Sequence, residues 1–333
     1  MTGTAIPMAE IWRGNFLESI HYGQAVVCDE TGQITRVWGD PGQVILPRSS
    51  CKMVQALPLL ESGAADAAGL SEEHLALACA SHQGGVMHTD RIARWLTDLG
   101  LTDDDLRCGA HMPRDKQAFR ALLCAESAPR QIHNNCSGKH AGFLTLNQHL
   151  GGNRDYIAPD HPVQHTVREA FEEMTGESSP GHAIDGCSAP NFATSLQGLA
   201  RAMARFAAAR ADFGDARERA AARLVRAMRR YPDLVAGKGR ACTELMQAMK
   251  GRVAIKTGAE GVFVAILPEQ RLGVALKIAD GATRAAECAI AAILANLGAL
   301  DPEHPAARRR MNAPLYNWNG LKAARIQPAS ALC

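Results

Sequence analysis

The chain has 333 residues, 47% hydrophobic and 21% charged, the balance of an ordinary globular protein. Lys and Arg number 36 against 34 Asp and Glu, a net charge of +2, which gives no electrostatic reason to expect nucleic acid or an anionic membrane as partner. Met1 to Gly23 carries Glu10, Arg13 and Glu18 with no unbroken apolar core, and 285–300 is interrupted by Glu287 and Asn296, so neither a secretory signal nor a membrane span is expected. Ten cysteines, none in a CxxC pair, then point to free thiols in a reducing, cytoplasmic setting.

In chain order, the sequence predicts short strands over 9–13, 19–28 and 34–38, punctuated by Gly14, Gly23 and Thr31-Gly32. Helical periodicity follows over 51–62, 72–80, 90–99, 116–125, 138–150, 161–175, 192–210 and 216–230, with a weaker stretch over 243–250. Strands return at 253–257, 261–267 and 271–279, separated by turn-length segments, before a last helix over 283–297. After Asp301, Pro302, Pro305 and Pro314 predict a tail that wraps the surface. Arg308-Arg309-Arg310 reads as a solvated run. Strands at both ends with helices between predict one antiparallel sheet completed by both termini.

Three segments carry the chemistry of an active serine. Ser49-Ser50-Cys51-Lys52 follows Pro47 and precedes an apolar run, which predicts a helix with Ser49 at its cap and Lys52 one turn on. Residues three apart share a helix face, so a desolvated Lys52 can take the proton of Ser49. A capped helix with a solvated lysine would give the same pattern. Ser81-His82-Gln83-Gly84-Gly85 places a serine at a helix end before glycines that let a ligand approach the backbone, though a plain helix stop reads alike. Lys256-Thr257-Gly258 ends a strand, where in active-serine enzymes it faces the nucleophile. This order resembles serine β-lactamases and penicillin-binding transpeptidases, with Ser81-His82-Gln83 where those enzymes carry Ser-Asp-Asn.

Two further segments concern metal. Asn134-Asn135-Cys136-Ser137-Gly138-Lys139-His140 opens a helix, and Asp185-Gly186-Cys187-Ser188-Ala189-Pro190 turns at a strand end. Two thiolates with a nearby carboxylate, imidazole or amine can hold zinc. Two cysteines this far apart are also commonplace in an apolar core. Only their polar, glycine-flanked surroundings favour the metal.

Together the five segments resemble the rhizobial-type (class 3) L-asparaginases, the asparaginase II family, over most of the chain. The resemblance implies an α/β, β-lactamase-like fold: a single domain over 1–333, its antiparallel sheet formed from both chain ends with flanking helices, and a helix-rich region over about 84–250 inserted in the middle. It implies a homodimer that hydrolyses L-asparagine to L-aspartate and ammonia. It implies Ser49 paired with Lys52, Ser81 paired with Lys256, and a substrate-orienting zinc ion (Zn2+) held by Cys136, Lys139 and Cys187. Arg48 and Asp185 are expected on the substrate α-carboxylate and α-amine, with His82 and Gly84 beside them and Cys242 lining the pocket. Chemically, Ser81 with Lys256 serves as nucleophile and base equally well. A glutaminase or β-lactam-type hydrolase on the same fold, a zinc hydrolase using metal-bound water, and a silent binding protein are the alternatives.

Overall fold

The structure, a computed structural model, describes residues 4–212 and 214–332. They divide into two compact units: Met1–Ser50 with Thr194–Ala208 and Glu244–Cys333, and Cys51–Ala193 with Ala209–Thr243. Cys333 lies outside the described residues.

The first unit is built on an eight-stranded antiparallel sheet. Its order runs Pro314–Tyr316, Lys322–Pro328, Ile6–Arg13, Phe16–Cys28, Leu272–Ile278, Val262–Leu267, Ala254–Thr257, and Ile34–Trp38 pairs with Phe16–Cys28 off this path. The sheet therefore draws on both chain ends, as the strand pattern predicts. Val262–Leu267 is buried along its whole length, with the helices Leu196–Ala208 and Thr283–Asn296 both packed on it. Burial on two faces explains why this strand reads as an unbroken apolar run rather than an alternation.

Two expectations fail in this unit. The residues after Asp301 do not simply wrap the surface: Pro305–Met311 is a helix, and Lys322–Pro328 pairs with the first strand, Ile326 opposite Ile11. Pro305 sits in the first turn of that helix, where its missing N–H costs nothing. The helix expected from 192 starts at Leu196, because Pro190–Phe192 and Thr194–Ser195 are in strands. The Ser195 hydroxyl then accepts a hydrogen bond from the Gly198 N–H (2.8 Å), in the manner of a cap.

The second unit is helical. Its centre is Ser137–Leu150, buried at every residue from Ser137 to Asn147. Close packing rests on two small residues: a Cβ on Gly138 would lie 2.4 Å from the Leu77 carbonyl oxygen, and one on Gly142 would touch Leu59 and Ala78. The helix Ala216–Arg230 is held by Arg217 to Glu61 (2.7 Å), Arg223 to Asp66 (2.6 Å) and Arg226 to Glu72 (2.6 Å). The single helix expected over 51–62 is two, Lys52–Gln55 and Leu57–Glu61, with Pro58 in the first turn of the second. No described helix is long and apolar enough to cross a membrane.

In the first unit one glycine sets how closely helix meets sheet. A Cβ on Gly273 would fall 2.0 Å from the Ala204 nitrogen and 2.3 Å from the Ala200 oxygen, backbone atoms that cannot give way. Gly273→Ala is expected to force Leu196–Ala208 off the sheet and destabilise the protein by about 2–3 kcal/mol. A urea melt with an unchanged midpoint would contradict this packing account.

Candidate active site

In the first unit, the segment ahead of the serine is a tight turn. Arg48–Cys51 is a 3-10 turn, and the buried Ser50 closes it by donating its hydroxyl to the Pro47 carbonyl (2.7 Å). Cys51, not Ser49, therefore precedes the helix, and no side chain caps it. Arg48 has φ +55°, the left-handed region, which costs a non-glycine residue roughly 1–2 kcal/mol and persists only where its surroundings enforce it. Arg48 and Ser49 are half-buried.

Beside this turn lies the end of Ala254–Thr257. The Lys256 side chain is fully buried, and its amine donates to the Thr257 carbonyl (2.9 Å). A Cβ on Gly258 would come 2.6 Å from the Pro47 oxygen and 3.3 Å from Ser50, so only glycine lets the two segments meet. The next turn is strapped by Lys277, whose amine donates to the Ile278 (2.7 Å) and Glu260 (2.5 Å) carbonyls. Lys277 is absent from the sequence expectations. Its signal is a lysine inside an otherwise apolar strand, Leu272–Ile278.

The second unit gathers the remaining candidates. Lys52 is 1% exposed, and its amine donates to the Ala80 carbonyl and, at 3.4 Å, to the Asn135 carbonyl. Those two carbonyls flank Ser81 and Cys136, so this one side chain joins two motifs. The backbone repeats the link, with the Ser81 N–H donating to Val235 (2.8 Å) and that of His82 to Asn135 (3.3 Å). Gly84 has φ +71°, and a Cβ there would lie 2.7 Å from the His133 carbonyl oxygen. Asn135 and Ala80, which hold Lys52 through main-chain oxygens, leave no side-chain signal in the sequence.

The His82 ring is fully committed. Its Nδ1 accepts from the Gly84 N–H (3.0 Å), so Nε2 carries the proton and donates to the Ser137 hydroxyl (2.9 Å), which donates on to Ile132 (2.9 Å). Burial, then the neighbouring His88 on which it stacks, holds its pKa well below the ordinary histidine value. His82 is thus a neutral brace between the Gly84 loop and the Ser137 helix.

The thiol cluster forms where the Asp185–Ala189 turn meets the start of Ser137–Leu150. Ligand atoms of Cys136, Asp185 and Cys187 all lie within 4.8 Å of one another. The Lys139 amine donates to Cys187 Sγ at 3.0 Å, and Asp185 Oδ2 is 3.6 Å from the same sulfur. Ser188, at φ +68°, sharpens the turn that presents Cys187. Hydrogen bonding from Cys136 overrides burial and, with the Lys139 charge, pulls the Cys187 thiol down to about 5, whereas the same bond and burial push Cys136 up to about 12. Burial alone would lower Lys139, but the charges of Cys187 and Cys136 leave it raised. Without metal the trio reads as an ammonium, a thiolate and a thiol. Two thiols with a carboxylate and an amine are a donor set that fits zinc. The grouping adds Asp185 to this cluster, where the sequence had reserved it for substrate. Cys242 is buried on Ala241–Ala248.

The profile of the L-asparaginase II family matches residues 9–328. The chain belongs to the L-asparaginase II family. No curated protein matches it in sequence. Among solved structures it is similar to Mglu in its native form (12% identity, 84% of this chain and 66% of that one, TM-score 0.45). It is similar also to a beta-lactamase from Mycobacterium bovis (14%, 82% and 94%, TM-score 0.47) and to the octameric penicillin-binding protein homologue from Pyrococcus abyssi (11%, 90% and 80%, TM-score 0.39). The chain spans just under two thirds of the Mglu chain.

For this family member the thiol cluster makes a direct prediction. A thiol whose folded pKa is depressed contributes stability that grows as pH rises from about 5 toward its ordinary value near 9, and that is lost as pH falls through about 5. In metal-free protein, thiolate absorbance in the ultraviolet should titrate with one midpoint near 5 and vanish from that range in Cys187→Ser. A first thiol midpoint at 8 or above would contradict it.

Proposed function

We propose that the protein is an L-asparaginase acting through a serine nucleophile activated by lysine. The observation that carries this reading is the burial of two lysines, Lys52 and Lys256, each within a serine-hydrolase motif and each donating to backbone carbonyls. Lysine is almost never fully buried unless its amine is paired, and a lysine drawn out of water can serve as the base for a serine hydroxyl. Family membership supports the amide as the bond attacked.

Lys52 accepts the Ser49 proton as Ser49 Oγ bonds to the side-chain amide carbon of asparagine. The oxyanion so formed is held by main-chain N–H groups, a device worth roughly 3–4 kcal/mol per donor where one has been removed. The carbon–nitrogen bond breaks, and ammonia leaves with a proton delivered through Ser81 and Lys256. Water then cleaves the aspartyl ester and restores the Ser49 hydroxyl. Arg48 binds the α-carboxylate, its guanidinium fork matching the two oxygens. Cys136 and Cys187, with Lys139 or Asp185, would hold zinc, which when bound supplies a Lewis-acidic point that orients the substrate. A lysine ligand must give up its proton to do so. The enzyme works as a homodimer in this reading.

Ammonia release from L-asparagine and from L-glutamine tests the proposal. Asparagine should be the better substrate by about 10–200-fold, the discrimination one methylene allows. Ser49→Ala should lose at least ~10³-fold in kcat, and Lys52→Met about 10²–10⁴-fold. Chelation of zinc should cost less than either substitution. Absence of ammonia with and without added zinc would overturn the asparaginase reading, and full turnover by Ser49→Ala would overturn the nucleophile.

A further inference from the structure

The first unit carries an apolar surface that catalysis does not use. Two hairpins lie side by side at one end of its sheet. One joins Ile6–Arg13 to Phe16–Cys28, and the other joins Pro314–Tyr316 to Lys322–Pro328. They are paired in register, with Trp12 opposite Arg325, and the Arg325 guanidinium sits 5.7 Å from the Trp12 ring and donates to the Gly14 carbonyl (3.3 Å). A shallow cleft of about 130 Å³ runs between them, lined by Trp12, Gly14 and Lys322 to Arg325.

At the tips of the two hairpins large apolar side chains face water. Phe16 is 79% exposed, Tyr316 64% and Leu321 60%, while Trp318 is fully exposed. Their display is rigid. In the second turn Asn317 Oδ1 accepts from the N–H groups of Asn319 (3.0 Å) and Leu321 (2.9 Å), and the Asn317 N–H donates to the Leu321 carbonyl (3.0 Å). A tryptophan held outward on a hydrogen-bonded turn has already lost its backbone freedom, so burying it costs little ordering entropy. Exposed apolar patches beyond a few hundred Å² mark interaction sites on soluble proteins.

We infer that this double-hairpin face is where a second copy of the chain docks. Three aromatic side chains at roughly 150–250 Å² each, with Leu321, supply most of the ~800 Å² per partner that a stable interface buries. The charges around them have both signs: the Arg13–Glu18 pair (2.8 Å), Glu10, Lys322 and Arg325. A two-fold interface meets its own image, so a surface carrying both acid and base is self-complementary. Nucleic acid or an anionic bilayer would instead call for one sign. The strand Pro314–Tyr316 stands at the end of the sheet order, where pairing with another chain is available. Family resemblance implies a homodimer and leaves its face open. This assignment does not depend on the proposed reaction.

Sedimentation of the full chain at micromolar concentration reads the outcome. The wild type should sediment as a dimer, and Phe16→Ser/Tyr316→Ser/Trp318→Ser as a monomer with unchanged far-ultraviolet dichroism. Leu123→Ser, an exposed apolar residue on the separate helix Lys116–Cys124, should remain dimeric. Should the triple variant fail to fold, Trp318→Ser alone still decides, because that side chain packs on nothing in the monomer. It should weaken the dimer by at least ~10-fold, as loss of an interface anchor does. A monomeric wild type, a dimer unmoved by Trp318→Ser, or a monomer that uses this face only to bind phosphatidylserine vesicles would each overturn the inference.

Discussion

The candidate site depends first on how one buried amine is satisfied. A lysine nitrogen withdrawn from water is costly unless it finds acceptors, and Lys52 finds them in the Ala80 and Asn135 carbonyls. Those carbonyls belong to the residues before Ser81 and before Cys136. Satisfying Lys52 therefore fixes the end of the Glu72–Ala78 segment against the start of Ser137–Leu150. The same junction is tightened by Gly138 on Leu77 and by the His82–Ser137–Ile132 relay. The acceptors are main-chain oxygens, so the amine gains hydrogen bonds without acquiring a carboxylate that would hold it as a fixed ion pair.

Electrostatics divides the second unit into two neighbourhoods of opposite character. Around His82, His88 and His140, burial dominates and the imidazoles stay neutral. A few residues away Cys187, Asp185 and Lys139 form a charged knot in which a thiolate is favoured at neutral pH. The donor atoms of Cys136, Asp185 and Cys187 are gathered by the fold, with a neutral histidine, His140, beside them. Asp185 illustrates how one turn can serve both purposes, since its backbone shapes the turn that presents Cys187 while its carboxylate reaches the sulfur.

Much of this was legible in the sequence. The strands at both chain ends and the helices between follow from periodicity and glycine placement, and the sheet does combine both ends, whereas the grouping of the five motifs follows from the resemblance to the asparaginase II family. What escaped has physical causes. The final strand, Lys322–Pro328, hides behind three prolines, and its short inward pair, Ala324 and Ile326, gains meaning only beside Ile11. The cap expected at Ser49 does not form: Arg48–Cys51 is a 3-10 turn closed by the Ser50 hydroxyl on the Pro47 carbonyl, and the helix that follows has no side-chain cap. Ala80 and Asn135 act through their backbone carbonyls, which no side-chain motif records. His82 looked like a ligand-facing residue, but the partners that engage both its nitrogens, Gly84 and Ser137, are one local and one 55 residues away.

The most direct test of the account is to catch the covalent intermediate and ask where it sits. Wild-type protein mixed with L-asparagine, quenched in acid within milliseconds and digested, can be mapped by mass spectrometry for an aspartyl ester. The account predicts the adduct on the peptide containing Ser49, accumulating before ammonia release becomes linear. An adduct on the Ser81 peptide, or steady turnover with no adduct on either serine, would contradict it.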